Sequence, residues 1–102
     1  MKLRVLAEAE AEIEAARAYL NEQSRGLGGR FLEDLGDTFD KVAARPLSFP
    51  MLETIPDDLP YRRALLGTFR YAAVFEVLAD EIVVVAVVHT SRAPNYWIDR
   101  SS

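Results

Sequence analysis

The sequence predicts an α+β domain: a short N-terminal strand, a helical hairpin, then a three-stranded antiparallel meander, with the helices packed on one face of the sheet. Three observations carry that prediction. The first half holds two stretches rich in Ala, Glu and Leu with apolar residues at helical spacing. The second half holds three apolar runs rich in Val, Tyr and Phe, separated by turn-forming residues. Between the halves, the segment from Pro46 to Pro60 contains four of the five prolines.

Each element has its own argument. "KLRVL" alternates polar and apolar residues and predicts a short strand. "AEAEAEIEAARAYLNEQ" also alternates at first, but Ala, Glu and Leu favour helix over strand. Leu6, Ala9, Ile13, Ala16 and Leu20 then form one helical stripe, and the glutamates form a solvated face. "SRGLGG" reads as the turn that ends this helix; it lacks the Lys-Ser/Thr ending of a phosphate loop. The second stripe is Leu32, Leu35, Phe39 and Val42, flanked by Phe31. It stops by Ala44 or Arg45, because a residue before proline avoids helical geometry. The stretch from Pro46 to Pro60 is an extended loop with room for one helical turn, laying Phe49, Met51 and Leu52 on the core.

The meander follows. "YRRALL" and "FRYAAVFEVL" are strands joined by "GT" as a two-residue hairpin turn with glycine first. "ADE" turns the chain into "IVVVAVVH", which is apolar on both faces and therefore a central strand covered on both sides. Strict alternation puts His89 on the face of Val83, Val85 and Val87. On the preceding strand, Tyr71, Ala73, Phe75 and Val77 share one face; Arg70, Ala72, Val74 and Glu76 share the other. Antiparallel order brings Arg70 and His89 to the same end of the sheet, with Arg62 and Arg63 nearer the opposite end and facing opposite ways. Register decides whether Arg70 and His89 share a face.

Composition bounds the function. At 102 residues, half of them hydrophobic and 27% charged, residues 1–102 are expected to form a single globular domain. The absence of cysteine excludes disulfides and thiolate zinc sites, and a lone histidine without a second ligand predicts neither metal nor cofactor. The longest apolar run is strand-sized, so no membrane span is expected. The glutamates that interrupt the N-terminus exclude a signal peptide's apolar segment, and the cytoplasm is the expected compartment. A net charge of −4 and a pI of about 4.9 argue against a general nucleic-acid binder. The charge is nonetheless uneven: both lysines lie in the first half, and the cations after residue 60 are Arg62, Arg63, Arg70, Arg92 and Arg100.

The N-terminal strand, the Ala/Glu-rich hairpin, the proline after the second helix, "RRALLGTFRYAAVFEV" and above all "IVVVAVVHTSRAPNYW" occur here in an order that covers nearly the whole chain. In this the chain resembles the RelE/ParE superfamily of bacterial type II toxins, and its tail resembles the ParE-like branch. The resemblance implies a small cytoplasmic growth inhibitor of the kind associated with plasmid stabilisation. It also implies neutralisation by a cognate antitoxin in a toxin–antitoxin hetero-oligomer. Two target classes are implied: messenger RNA cut on the ribosome without a metal, or DNA gyrase. Arg70 matches an arginine that nuclease members use against phosphate, and His89 matches a histidine that some use in acid–base catalysis. Arg92 matches a tail arginine of the ParE-like branch, and Tyr96 lies near an aromatic position of some nucleases. Arg62 and Arg63 are candidate supporting contacts to the target.

Chemistry separates the two classes. Metal-free RNA cleavage needs a base for the 2′-hydroxyl, cations for the phosphorane and an acid for the leaving oxygen. Arginine supplies charge but no base, and only His89 has an ordinary pKa near neutrality. The second proton-transfer group has to come from Glu53, Glu76 or Tyr96, and Glu76 lies far along its strand from Arg70. Gyrase binding needs only a surface, and is the expected activity. The alternatives are a ribosome-dependent endoribonuclease and a non-toxic relative that keeps antitoxin binding. His89 itself has two readings at this point, a functional group or a strand end hydrogen-bonded to backbone. Tyr96 and Trp97 are expected to pack the tail onto the domain.

Overall fold

The computed structural model describes residues 1–52, 60–91, 96–98 and 100. The order is β1 (Lys2–Val5), α1 (Ala7–Gln23), α2 (Leu27–Ala44), a single 3-10 turn (Pro46–Ser48), β2 (Tyr61–Leu65), β3 (Tyr71–Val77) and β4 (Glu81–His89). The strands form one sheet in the order β1-β4-β3-β2. β2, β3 and β4 are the antiparallel meander, and β1 joins parallel to β4. The valine-rich β4 is therefore central, as its two apolar faces require. Among the described residues no helix is long and apolar enough to cross a membrane.

Both faces of the sheet are covered. The helices supply Ala9, Ala16, Phe31, Leu35 and Val42 to one face, against Ala73, Phe75, Ile82, Val84 and Val87. On the other face Trp97 and Tyr61 pack over Val74, Val83, Val85 and Ala86. Leu6 belongs to this second layer rather than to the helical stripe predicted for it, because it is the extended residue between β1 and α1, where its N–H donates to the Val84 carbonyl (3.0 Å).

The helical hairpin turns more tightly than "SRGLGG" suggested. Only Ser24–Gly26 lies outside the helices, with Gly26 in the left-handed region at φ 86°. Asn21 holds this turn by accepting the Gly26 N–H (3.0 Å). Gly28 is inside α2 and buried against α1: a Cβ there would lie 2.6 Å from the Arg17 carbonyl oxygen. That close approach sets the rotation of α2. Phe31, Leu35, Thr38 and Val42 face the core, while Leu32 is 40% exposed. Of the predicted stripe, Leu35 and Val42 are buried and Phe39 packs against the core, whereas the place expected for Leu32 is taken by the flanking Phe31. The Thr38 hydroxyl is satisfied locally, donating to the Asp34 carbonyl (2.9 Å), so its burial costs little.

Past Pro46 the chain makes the one helical turn expected, then pairs briefly with the edge strand β2 through a Met51–Arg62 bridge. Phe49 packs edge-on against Phe75 and Leu52 packs in the second layer, whereas Met51 is 40% exposed.

Candidate functional site

The site is built where β3 begins and β4 ends. β2 and β3 are not joined by the two-residue turn expected at "GT": the connection is Leu66–Arg70, and Gly67 does not take the positive φ that such a turn requires. Local propensity lost to a tertiary contact. The Asp34 carboxylate on α2 accepts three consecutive backbone N–H groups, from Gly67 (3.1 Å), Thr68 (2.9 Å) and Phe69 (3.1 Å). Burial pushes the pKa of Asp34 up, but the three N–H bonds and the Lys41 charge outweigh it and leave the carboxyl below its ordinary value. Phe31 adds edge-on and tilted ring contacts to Phe69 and Tyr71, at centroid separations of 5.7 and 5.0 Å. One face of α2 thus fixes the loop that carries Arg70.

Arg70 ends this loop, exposed, with its carbonyl accepting the Thr90 N–H (2.9 Å). Arg70 and His89 therefore stand at the same end of the sheet. The register pairs His89 with Tyr71 rather than with Arg70, and the two rings meet edge to face at 5.1 Å. The face assigned to His89 by strict alternation is corrected by a β-bulge. Val74 pairs with Ala86 and Phe75 with Val84, so Val85 is an extra residue on β4. The bulge changes the phase, and His89 shares the helix-side face with Ile82, Val84 and Val87, not with Val83 and Val85.

His89 Nδ1 accepts the Ser91 N–H (3.1 Å) and lies 2.7 Å from the Ser91 hydroxyl. A ring nitrogen that accepts a backbone N–H is unprotonated, which assigns the neutral ring's proton to Nε2. In this tautomer the Nε2–H is a hydrogen-bond donor at the sheet end. Burial, followed by the nearby Tyr19, raises the pKa of Tyr71, so the phenol beside His89 remains a donor as well.

The other candidates lie elsewhere. Arg62 pairs with Phe75 and Arg63 with Val74, towards the opposite end of the sheet from Tyr71. The Arg62 guanidinium donates to the Phe49 carbonyl (2.6 Å), a structural bond that pins the loop, while Arg63 is exposed. Glu76 pairs with Val83, well along β3 from Arg70. Arg92 and Glu53 lie outside the described residues. Tyr96 donates its hydroxyl to Glu12, and the Arg100 guanidinium lies 5.3 Å from its ring centroid. Trp97 is buried edge-on against Tyr61 at 4.9 Å, so the tail does pack on the domain.

The pairing of two side chains beside the site, Glu12 and Arg100, escaped the sequence reading. Glu12 is not part of a solvated face: its carboxylate accepts Arg100 (2.8 Å) and the Val87 N–H (3.1 Å), and the ion-paired side chains are 16% and 18% exposed. Glu12 looks like every other glutamate in "AEAEAEIE", and Arg100 is 88 residues away. No local signal marks such a pair. Glu12 also lines a groove between α1 and β4 with Ala15, Ala16, Tyr19, Tyr71, Val87 and His89. Among the described residues no group of His, Asp or Glu side chains is placed to hold a metal ion.

A small sheet with an antiparallel meander, a helical hairpin on one face, and Arg and His at one sheet end define a compact α+β domain. The family model for the ParE toxin of the type II toxin–antitoxin system, parDE, matches residues 3–94, and the chain belongs to that family. Among solved structures it is similar to the chromosomal ParDE toxin–antitoxin system from P. aeruginosa. The TM-score is 0.74 at 14% identity, covering 87% of this chain and 95% of that one. At that identity the likeness is one of fold. No curated protein sequence matches the chain.

Proposed function

We propose that this ParE-family toxin acts in the cytoplasm by binding DNA gyrase, and that a cognate antitoxin neutralises it in a hetero-oligomer. The observation that supports a binding role over RNA cleavage is the state of the polar groups at the sheet end. His89 spends its free lone pair on Ser91, Tyr71 is held as a protonated phenol, and Glu12 is committed to Arg100 and Val87. As placed, neither the His89 Nδ1 nor the Glu12 carboxylate stands open to a 2′-hydroxyl, because Ser91 engages the one and Arg100 and Val87 the other, whereas a surface bearing Arg70 needs no proton acceptor. The groove between α1 and β4, with Ala15, Ala16 and Tyr19 on one wall and Tyr71, Val87 and His89 on the other, is the surface assigned to the antitoxin.

The test is induction of the chain alone in bacteria, with Arg70→Ala and His89→Ala at matched expression, followed by assays on purified gyrase and on transcripts. Growth arrest, loss of supercoiling and intact transcripts are the expected result, with Arg70→Ala relieving the arrest. Ribosome-dependent cleavage that disappears in His89→Ala establishes the nuclease reading instead. Normal growth with undisturbed gyrase, combined with binding of the neighbouring antitoxin, identifies a non-toxic member of the family.

A further inference from the structure

The ladder between β1 and β4 ends at Val5 opposite Val84, with the Leu6 N–H on the Val84 carbonyl, yet β4 runs on to His89. Past this point the β1 side of β4 has no strand beside it among the described residues. Side chains meet its backbone groups instead. The Val85 carbonyl accepts from Arg100 Nη1 (2.9 Å), and the Val87 N–H donates to Glu12 Oε1 (3.1 Å). The same carboxylate accepts both Arg100 nitrogens, at 2.8 and 3.3 Å, and the Tyr96 hydroxyl. A few residues of tail and one glutamate of α1 therefore take up hydrogen bonds that a neighbouring strand would otherwise make.

The segment so covered is "VAVV", Val85 to Val88, apolar, uncharged and rich in β-branched residues. A bare edge of that composition adds strands readily, and native proteins cover or charge such edges. We propose that Tyr96, Trp97 and Arg100 form a strap, anchored on Glu12, that guards the edge of β4 against pairing with the same edge of a second copy of this chain. The occupant follows from the geometry. Two identical edges related by a two-fold axis pair antiparallel, and each satisfies on the other the groups that Arg100 and Glu12 now hold. Tyr96 and Arg100 share the Glu12 carboxylate and so are held together, Arg100 also reaches the Val85 carbonyl, and Trp97 seats the tail on Tyr61. This guarding role requires neither gyrase nor antitoxin.

The experiment uses the full chain as wild type, Arg100→Ala and Glu12→Gln. Self-association is read by sedimentation across a wide concentration range, amide exchange by NMR, and tail docking by emission of Trp97, the only tryptophan. In Arg100→Ala the strap opens: Val87 exchange rises roughly tenfold or more in dilute monomer, core amides such as Val74 keep their protection, and dimer forms with concentration. Trp97 emission shifts to the red. Glu12→Gln keeps an acceptor for the Val87 N–H but loses the charge, so it falls between wild type and Arg100→Ala and still folds if Arg100→Ala does not. Three results overturn the proposal: variants as monomeric as wild type, wild type that dimerises as strongly as the variants, or Val87 exchange that rises only together with the core.

Discussion

Replacing two glycines of the same helix by alanine gives changes of opposite sign. Gly28 and Gly36 both lie inside α2. Alanine at a helix interior gains about 0.5–1 kcal/mol over glycine from reduced unfolded-state freedom. A Cβ at Gly36 meets nothing within 4 Å, so Gly36→Ala realises that gain. At Gly28 the same Cβ lies 2.6 Å from the Arg17 carbonyl oxygen, 3.0 Å from the Arg17 Cγ and 3.2 Å from the Asn21 Cβ. The nearest of these is backbone, which cannot swing aside, so α1 and α2 must separate along a contact that also fixes Phe31 and Leu35. Overpacking of this kind costs about 1–3 kcal/mol and exceeds the propensity gain. Urea denaturation of both variants, followed by thermal melts, measures the difference. At roughly 4–8 °C per kcal/mol for a domain of this size, the two melting temperatures move apart in opposite directions from wild type. Equal stabilisation by the two alanines refutes the close helix approach and the rotation of α2 that depends on it.

Asp34→Ala removes the acceptor of three loop N–H bonds and is expected to cost about 1–2 kcal/mol, discounted because the carboxylate is partly solvated. The folded pKa of Asp34 lies below its unfolded value of 3.8, so its contribution is full above that pH and is lost as pH falls through the folded value. The gap between wild type and variant in denaturant titrations therefore closes below about pH 4; a gap unchanged there refutes the carboxylate's role. Phe31→Ala costs about 3–5 kcal/mol, since the ring is fully buried and joins Phe69 and Tyr71. Leu32→Ala, one residue on but exposed, stays within about 0.5 kcal/mol, and equilibrium unfolding of the pair reads the phase of α2 directly.

The element order, the central placement of β4 and the shared sheet end of Arg70 and His89 were legible in the sequence, because each rests on a period or a connection length. The span Ala7–Gln23 was legible for the same reason: a run of good helix formers between a strand and a turn. The face of His89 was not legible. One inserted residue, Val85, reverses every later side chain on β4, and nothing in a row of valines distinguishes the bulged one. On α2 the stripe was legible at Leu35, Phe39 and Val42 but not in the first turns, where Phe31 is buried and Leu32 exposed because the close approach at Gly28 fixes the rotation.

By itself the sequence determined what alternates and what repeats: two helices, a meander, a valine-rich central strand, and a tail that joins a histidine to an arginine and a tryptophan. Only the tertiary structure decided which polar residues do structural work. Asp34 replaces a hairpin turn with a carboxylate nest, Arg62 is taken up by Phe49, and Glu12 reaches Arg100 across 88 positions. The physical reason is that hydrophobic burial follows periodic patterns that a linear chain displays, whereas a hydrogen bond or ion pair depends on atoms within about 3 Å that the chain brings together only after the core has formed.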